Sequence, residues 1–383
     1  MELKIVNDKR IKAGNISLIA AIVIQTLALW NEYAWYEAVA PYGTLISLAF
    51  LCVTFVCYVP VSYAVKDPFF YAAAAACVVA GINLIVIGSG KGAFLTAADV
   101  LIVIYLADKI KLSEGQMWFI GAYMGFYFFY WTYDVKGYFK GYNTNYGGLV
   151  LITGVVFAIT FFTALREKLK DTEKGGARFL SIFMVFMFAW GYNIIAWYRA
   201  RCALLGFVVF AILLLIPMKV WKNKVFYTLL TLGTTLGAIA VSLLYVWLGK
   251  YALKFDIRIF YKDIISGRDQ IWADLWGAFL AMPVTGIGSS YKINVDWMGG
   301  MFEVHNGLLD ILIVHGIIVF AVTVYMLIDR LLKIRVFASE NHVSKSAAAA
   351  VFALLAASFM ENFFIVPPFL LCTLVLIAIA RSV

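Results

Sequence analysis

Residues 305–328, HNGLLDILIVHGIIVFAVTVYMLI, form a long apolar stretch in which Asp310 is the only acidic residue. A helix needs about 20 predominantly apolar residues to cross the hydrocarbon core of a bilayer, so this stretch predicts a membrane span. Of the 383 residues, 64% are hydrophobic and 14% are charged, whereas a soluble domain carries about 25% charged residues. We therefore predict an all-α polytopic membrane protein.

Similar apolar stretches on both sides of this one predict about twelve spans. Their expected bounds are 16–35, 42–63, 68–88, 92–107, 116–133, 146–165, 179–197, 202–218, 225–248, 305–328, 347–361 and 366–381. Most of the 31 Lys and Arg residues then fall on the side of the two termini. The positive-inside rule predicts that both termini are cytoplasmic, and it explains the net charge of +9 without a nucleic-acid partner.

One long polar loop, residues 249–304, then faces outward between two transmembrane parts, residues 1–248 and 305–383. Within it, Asp269–Ala281 has the spacing of an amphipathic helix, which we expect to lie on the membrane surface or to pack on the bundle. Its apolar stripe comprises Ile271, Trp272, Leu275, Trp276, Phe279 and Leu280. A glycine-rich turn follows at 286–290.

Three arginines on the outward side are candidates for binding an anion. Arg268 begins the amphipathic helix, where a guanidinium can bind phosphate bidentately; alternatively, it is a solvated loop residue or a partner of Asp269. Arg199 and Arg201 lie in a very short turn on the side that the positive-inside rule disfavours. They either extend to lipid headgroups or anchor an anionic ligand.

His305 stands at the outward mouth of a span, directly after Glu303. It is either an interfacial hydrogen-bonded histidine or a group that transfers a proton or holds a sugar hydroxyl. Glu361, at the outer end of another span, is costly unless it is paired or used, and His305, Glu303 and Glu361 are alternative candidates for a general base. Asn143, Asn145 and Lys140, in a tyrosine-rich outward loop, suit carbohydrate or a plain loop equally.

Two kinds of cofactor are not expected. The three histidines are far apart in sequence, and no cysteine pair has ligand spacing, so we predict no metal site. The turn at 286–290 lacks the Lys-Ser/Thr ending of a nucleotide-binding loop. A nucleotide sugar is therefore not the expected donor.

Taken in order, these segments resemble the superfamily of O-antigen polymerases and O-antigen ligases. The resemblance rests on an ordered set of short motifs along about residues 143–316. They are Asn143-x-Asn145, Arg201-x-Ala-Leu-Leu-Gly206, Ser266-Gly-Arg268-x-x-x-Trp272, Gly286-x-Gly288, and His305-Asn306-x-x-Leu309 with Gly316 in the following span.

The resemblance implies a GT-C-like glycosyltransferase of the bacterial inner membrane, with no cofactor and its site facing the periplasm or outside. The donor would be an oligosaccharide on undecaprenyl pyrophosphate. Arg201 and Arg268 would hold the pyrophosphate, and His305 would orient or deprotonate the acceptor hydroxyl. Substrate contacts are expected at Arg199, Asn143, Asn145, Lys140, Trp272, Ser266, Gly288, Glu303, Asn306 and Glu361.

Within the superfamily, polymerisation of surface polysaccharide repeat units is our first hypothesis, since no outward domain beyond the 249–304 loop is present to dock a large foreign acceptor. The alternative is a ligase that transfers the glycan to lipid A–core or another acceptor. Membrane lipids, a chain-length regulator and a flippase are the expected partners. A transporter of polysaccharide or lipid is a distant alternative, because the mid-membrane polar residues Asn83, Asp99, Asn193 and His315 are few and scattered.

Overall fold

The computed structural model describes residues 8–27, 40–138, 144–250, 258–259, 262–263, 265–296 and 303–382. This part of the chain is helical except for loops and one two-stranded antiparallel ribbon, β1 (Arg258–Ile259) with β2 (Lys262–Asp263). The helices in chain order are α1 (Asp8–Leu27), α2 (Gly43–Tyr58), α3 (Val61–Ala64), α4 (Pro68–Val86), α5 (Lys91–Leu106), α6 (Glu114–Tyr138), α7 (Thr144–Leu169), α8 (Lys174–Tyr198), α9 (Arg201–Leu215), α10 (Met218–Trp221), α11 (Lys224–Thr235), α12 (Gly237–Lys250), α13 (Arg268–Ala281), α14 (Gly307–Ala338), α15 (His342–Ala357) and α16 (Pro367–Ser382).

The lengths and hydropathies of the helices are those of a membrane protein. In the described residues, five helices are long and apolar enough to cross a bilayer, namely α1, α4, α7, α8 and α14. The pair α11 and α12 passes the same test together but is bent by 53°, where one continuous span was predicted at 225–248. Four shorter helices are also apolar, namely α2, α9, α15 and α16. The all-helical membrane fold is thus confirmed, while the count of twelve spans and the position of the termini stay predictions.

The chain forms two compact units, each built from separated segments. Unit 1 comprises Met1–Ile110, Thr235–Arg330 and Glu361–Leu374, and unit 2 comprises Lys111–Thr234, Leu331–Met360 and Val375–Val383. Segments distant in sequence therefore share one core in each unit. The division into 1–248, 249–304 and 305–383 describes the order along the chain and stays a prediction.

In unit 1, the predicted amphipathic helix is α13, and it packs on α12. The indole of Trp272 lies 5.1 Å from the ring of Tyr245, centroid to centroid, and its Nε1 donates a hydrogen bond to the carbonyl of Val304 at 2.7 Å. The buried face follows Ile271, Leu275 and Phe279, at i, i+4 and i+8. Leu280 of the predicted stripe is 71% exposed, so the protein's own helices cover only part of the stripe.

The glycine-rich turn at 286–290 packs into a break in helix α14. Gly316 has φ 80° and ψ 176° inside the helix, and a Cβ there would lie 2.1 Å from the carbonyl oxygen of Val284. The turn supplies backbone partners across the break: Ile287 N to Ile313 O at 2.8 Å, Gly288 N to Val314 O at 3.2 Å, and Ile317 N to Pro283 O at 2.9 Å. The helix can open at this point because the turn satisfies the groups that an apolar medium would leave unpaired.

Asn83 of α4 joins the same junction. Its Nδ2 donates hydrogen bonds to the carbonyls of Thr285 at 2.6 Å and His315 at 3.3 Å. The side-chain amide of Asn83, one of the polar residues considered for a transport path, is therefore engaged in holding the turn to the broken helix.

In unit 2, α15 is buried along its whole length. Its first turn is capped by Asn341, whose Oδ1 accepts hydrogen bonds from the backbone N–H groups of Val343 and Ser344. The following alanines let neighbours approach closely. A Cβ on Gly206 of α9 would lie 2.9 Å from the carbonyl oxygen of Ala353. This is the small-residue packing typical of membrane helices.

Candidate active site

The centre of the candidate site is the carboxylate of Glu361 in unit 1. Its Oε1 lies 3.0 Å from Nη2 of Arg268, and its Oε2 lies 3.2 Å from Nδ1 of His305. Glu361 follows α15, while Arg268 begins α13 and His305 precedes α14. Three segments that are far apart in sequence therefore meet at one acid, and two of the three predicted catalytic residues are joined by it.

Burial makes this pairing significant. The side chains of Arg268 and Glu361 are 9% and 7% exposed. Arg268 is therefore not the solvated loop residue that was one alternative. A buried charge needs a partner, and here each charge meets an opposite one.

His305 faces a second acid on its other side. Its Nε2 lies 3.5 Å from Oε2 of Glu303, whose side chain is 45% exposed. If Nδ1–H donates to Glu361, Nε2 is the hydrogen-bond acceptor, on the side of the ring that faces the half-exposed Glu303. This edge of the imidazole is the one that can meet a substrate hydroxyl.

Backbone geometry also marks the site. In the described residues, three positions other than glycine have positive φ, namely Arg199, Ser266 and His305. All three were predicted site residues. A left-handed backbone is unfavourable for a residue with a Cβ, and it recurs at functional sites where the surroundings hold it. At Ser266 and Gly267 (φ 74°) it sets the start of α13, and so aims Arg268 at Glu361.

Asn306 fixes the segment that carries His305. Its backbone N–H donates to Oδ1 of Asn362 at 2.8 Å, its Nδ2 donates to the carbonyl of Ala238 at 2.9 Å, and its Oδ1 accepts from the N–H of Leu309 at 3.0 Å. The side chain is fully buried. Asn306 thus caps α14 and positions His305, and these contacts use both polar atoms of its side chain.

Two other predicted residues of unit 1, Trp272 and Gly288, make contacts that stabilise the fold. Trp272 is buried between Tyr245 and the Val304 carbonyl, and Gly288 (φ 70°) belongs to the turn at the α14 break. This turn is held to α13 through Tyr291, whose hydroxyl donates to Oδ2 of Asp274 at 3.1 Å. Burial and the charge of Asp274 raise the pKa of Tyr291, which keeps the phenol protonated as a donor.

In unit 2, a second group of predicted residues meets at the turn between α8 and α9. Arg199 ends α8 in the left-handed conformation, and Arg201 is the first residue of α9. The start of α7 packs on this turn, since a Cβ on Gly148 would lie 2.3 Å from the Cβ of Ala200. The carbonyl of Asn145 lies 3.8 Å from Sγ of Cys202. Asn143 and Lys140 lie outside the described residues.

The triad of Glu303, His305 and Glu361 also has the donor atoms for a metal ion. Each residue offers one ligand atom, and these three atoms lie within 4.8 Å of one another. However, the guanidinium of Arg268 already neutralises Glu361 at 3.0 Å and would repel a cation bound there. The triad fits a metal poorly, and the prediction of metal-independent chemistry stays a prediction.

Sequence reasoning named Arg268, His305 and Glu361 separately but did not foresee that Glu361 bridges the other two. It also did not identify Asn362, which anchors Asn306. The available signal was the pair Glu361–Asn362, two polar residues at the edge of a predicted span.

Comparison with protein families agrees with this geometry. Residues 182–324 match the O-antigen ligase family, and the match includes Arg199, Arg201, Arg268 and His305. This match over 143 of the 383 residues supports a place for the chain in the O-antigen polymerase and ligase superfamily, a family that implies O-antigen polymerase or ligase activity by a membrane glycosyltransferase-like enzyme. No curated protein and no solved structure matched the chain.

Proposed function

We propose that the protein polymerises surface polysaccharide repeat units at the outer face of the bacterial inner membrane. It transfers a glycan from undecaprenyl pyrophosphate to the hydroxyl of an acceptor sugar. The observation that carries this proposal is the bridge from Arg268 through Glu361 to His305, which joins an anion-binding group to a proton-transfer group.

The acceptor oxygen attacks the anomeric carbon of the donor sugar as its proton passes to Nε2 of His305. The bond from that carbon to the pyrophosphate oxygen breaks, and the electron pair leaves with the lipid pyrophosphate. Glu361 and Glu303 stabilise the imidazolium that forms. Glu361 is itself less suited to be the base, because its Oε1 is paired with the guanidinium of Arg268 and its Oε2 accepts from Nδ1 of His305.

Arg268 serves the leaving group. A guanidinium has five N–H donors in a fixed fork, and its bond to Glu361 uses Nη2. The positive charge of this guanidinium offsets the negative charge that develops on the pyrophosphate. Arg201 is proposed as a further pyrophosphate ligand, and Arg199, Asn143, Asn145 and Lys140 as contacts to lipid phosphate and sugar. A chain-length regulator and a flippase are the proposed partners.

Ligation is the second candidate, because the matched family is described as O-antigen ligase. A ligase would use the same donor and the same three residues with a different acceptor. The difference therefore lies in the acceptor and not in the bridge at Glu361.

Reconstitution distinguishes these functions. Purified protein in liposomes receives the lipid-linked repeat unit alone, then together with lipid A–core. Ladders from the first mixture support polymerisation, while transfer only in the second supports ligation. Arg268→Ala, Arg201→Ala and His305→Ala should each abolish transfer, whereas Lys292→Ala, which removes an exposed cation of the same loop, should not. Full activity in both Arg268→Ala and His305→Ala would refute the assigned site.

A further inference from the structure

Unit 2 contains a pocket of about 560 Å³ that the proposed reaction does not use. It is lined by the second half of α7, the first half of α8, the end of α9 and the start of α15. Its size is that of a site for a small molecule or a lipid segment.

One end of the pocket is basic. Arg166, His342 and Lys345 line it, and no carboxylate is among the described residues that do so. Glu167, nearby, pairs with Arg166 at 2.7 Å and also with Lys170 at 3.3 Å. Since this one acid is shared by two cations, the group as a whole keeps an excess of positive charge.

Lys345 is preorganised as a donor. It is 7% exposed, and its Nζ donates to the carbonyls of Leu214 at 2.7 Å and Ile216 at 2.6 Å. An ammonium group has three N–H donors, so one remains for a ligand. A buried cation without a carboxylate partner attracts an anion strongly, because few solvent molecules screen it.

The remaining lining of the pocket is mostly apolar and reaches the outer surface of the unit. It includes Met184, Phe188 and Leu214, together with Val185 and Leu215, which are 69% and 82% exposed. Large exposed aliphatic side chains on membrane helices face lipid tails. The pocket therefore connects basic side chains to a surface that faces the acyl chains of lipids.

This pocket is remote from the turn that carries Arg199 and Arg201. Phe188 lines the pocket and Arg199 ends the same helix, α8. Eleven residues of helix separate Arg199 from this nearest lining residue of α8, or about 17 Å at the usual rise. The positive-inside prediction places the pocket end in the cytoplasmic leaflet, whose surface is anionic.

We propose that this pocket binds a membrane phospholipid with an anionic headgroup. The phosphate accepts hydrogen bonds from Arg166 and Lys345, with His342 at the rim, and one acyl chain lies along Met184, Phe188 and Leu215. The site is separate from the one for the glycan donor, and its occupation does not depend on which acceptor the enzyme uses.

Native mass spectrometry of the full chain in detergent tests this proposal with three probes: dioleoylphosphatidylglycerol, dioleoylphosphatidylcholine and glycerol 1-phosphate. The anionic lipid should bind saturably and about 10-fold more tightly than the zwitterionic one, because the basic groups of the pocket favour a headgroup with net negative charge. The soluble phosphate should bind much more weakly, because it lacks the chain. Equal binding of the two lipids, or equal binding of lipid and soluble phosphate, overturns the proposal.

Two variants locate the binding. Arg166→Gln removes a headgroup donor, and Ala211→Phe fills the pocket while leaving its charges in place; each should reduce the preference for the anionic lipid to within about 2-fold. Lys174→Gln, which removes an exposed cation at the start of α8 outside the pocket, should retain the full preference. Lys345 is left intact because it caps α9. A preference that survives both Arg166→Gln and Ala211→Phe excludes this pocket as the site.

Discussion

Nη2 of Arg268 lies 3.0 Å from Oε1 of Glu361, and both side chains are more than nine-tenths buried. This ion pair gives a loop arginine a fixed position, and it leaves the second oxygen of the acid for His305. In the proposed reaction, Glu361 is a positioning residue for Arg268, which acts on the donor, and for His305, which acts on the acceptor.

Glu361→Gln keeps the size of the side chain and removes the charge that orients His305 and stabilises its protonated form. We expect the turnover rate of glycan transfer to fall by about 100-fold, within the usual range for general-base catalysis, while the apparent affinity for the acceptor changes little. The dependence of rate on pH should also change, which a purely structural defect would not cause. Glu340→Gln, at an exposed turn, is the control. A Glu361→Gln enzyme with wild-type turnover and pH profile would contradict the role of this acid.

The effects of substituting Arg268 and Glu361 on the stability of the protein should be strongly coupled. Removing one partner of a buried pair leaves an uncompensated charge and costs about 3–5 kcal/mol. Arg268→Met or Glu361→Leu alone should therefore lower the melting temperature in detergent markedly. The double variant should be less destabilised than the sum of the single variants. Additive shifts in the thermal unfolding of the four proteins would show that the two charges do not interact.

Gly316→Ala should destabilise the protein more than any ordinary glycine substitution. The new Cβ would lie 2.1 Å from the carbonyl oxygen of Val284, at a φ of 80°. In a helix, alanine is favoured over glycine by about 1 kcal/mol. The free energy of unfolding lost in Gly316→Ala should exceed this gain. Gly277→Ala is the matched control, since Gly277 is a helical residue of α13 with nothing within 4 Å of a Cβ. Thermal unfolding should show a large loss for the first variant and no loss for the second.

Asn306→Ala should act on stability and on the placement of His305. Two hydrogen bonds made by the side chain of Asn306 are lost, including the cap of α14, at a cost of about 1–2 kcal/mol. We expect a lower melting temperature and a lower turnover rate, with donor affinity within about 2-fold of wild type. A large loss of donor affinity with unchanged melting temperature would instead make Asn306 a substrate ligand.

Removal of divalent cations should leave glycan transfer intact. The triad of Glu303, His305 and Glu361 has the donor atoms for a metal, but Arg268 competes electrostatically for the same carboxylate. Transfer measured in EDTA should equal transfer measured in Mg²⁺ or Mn²⁺ within experimental error. Activity that is lost in EDTA and restored by one metal would reassign the triad as a metal centre.

Local patterns in the sequence predicted much of this protein. The apolar segment predicted at 92–107 forms the helix α5 (Lys91–Leu106), and the helix expected at 269–281 is α13 (Arg268–Ala281). Both follow from hydrophobicity and from 3.6-residue periodicity, which depend on neighbours in the chain. Arg268 and His305 were likewise identified from their positions next to predicted helix starts. The sequence does not specify which part of an apolar stripe the neighbouring α12 covers, and Leu280 of the predicted stripe is exposed.

The sequence by itself determined the helical membrane class and the candidate residues Arg268 and His305, because composition and period are properties of adjacent residues. Only the tertiary structure decided that Glu361 joins Arg268 to His305 and that the turn at Gly286 fills the break at Gly316. These contacts join residues from 26 to 93 positions apart. Their pairing depends on which buried charges and backbone groups can satisfy one another in three dimensions.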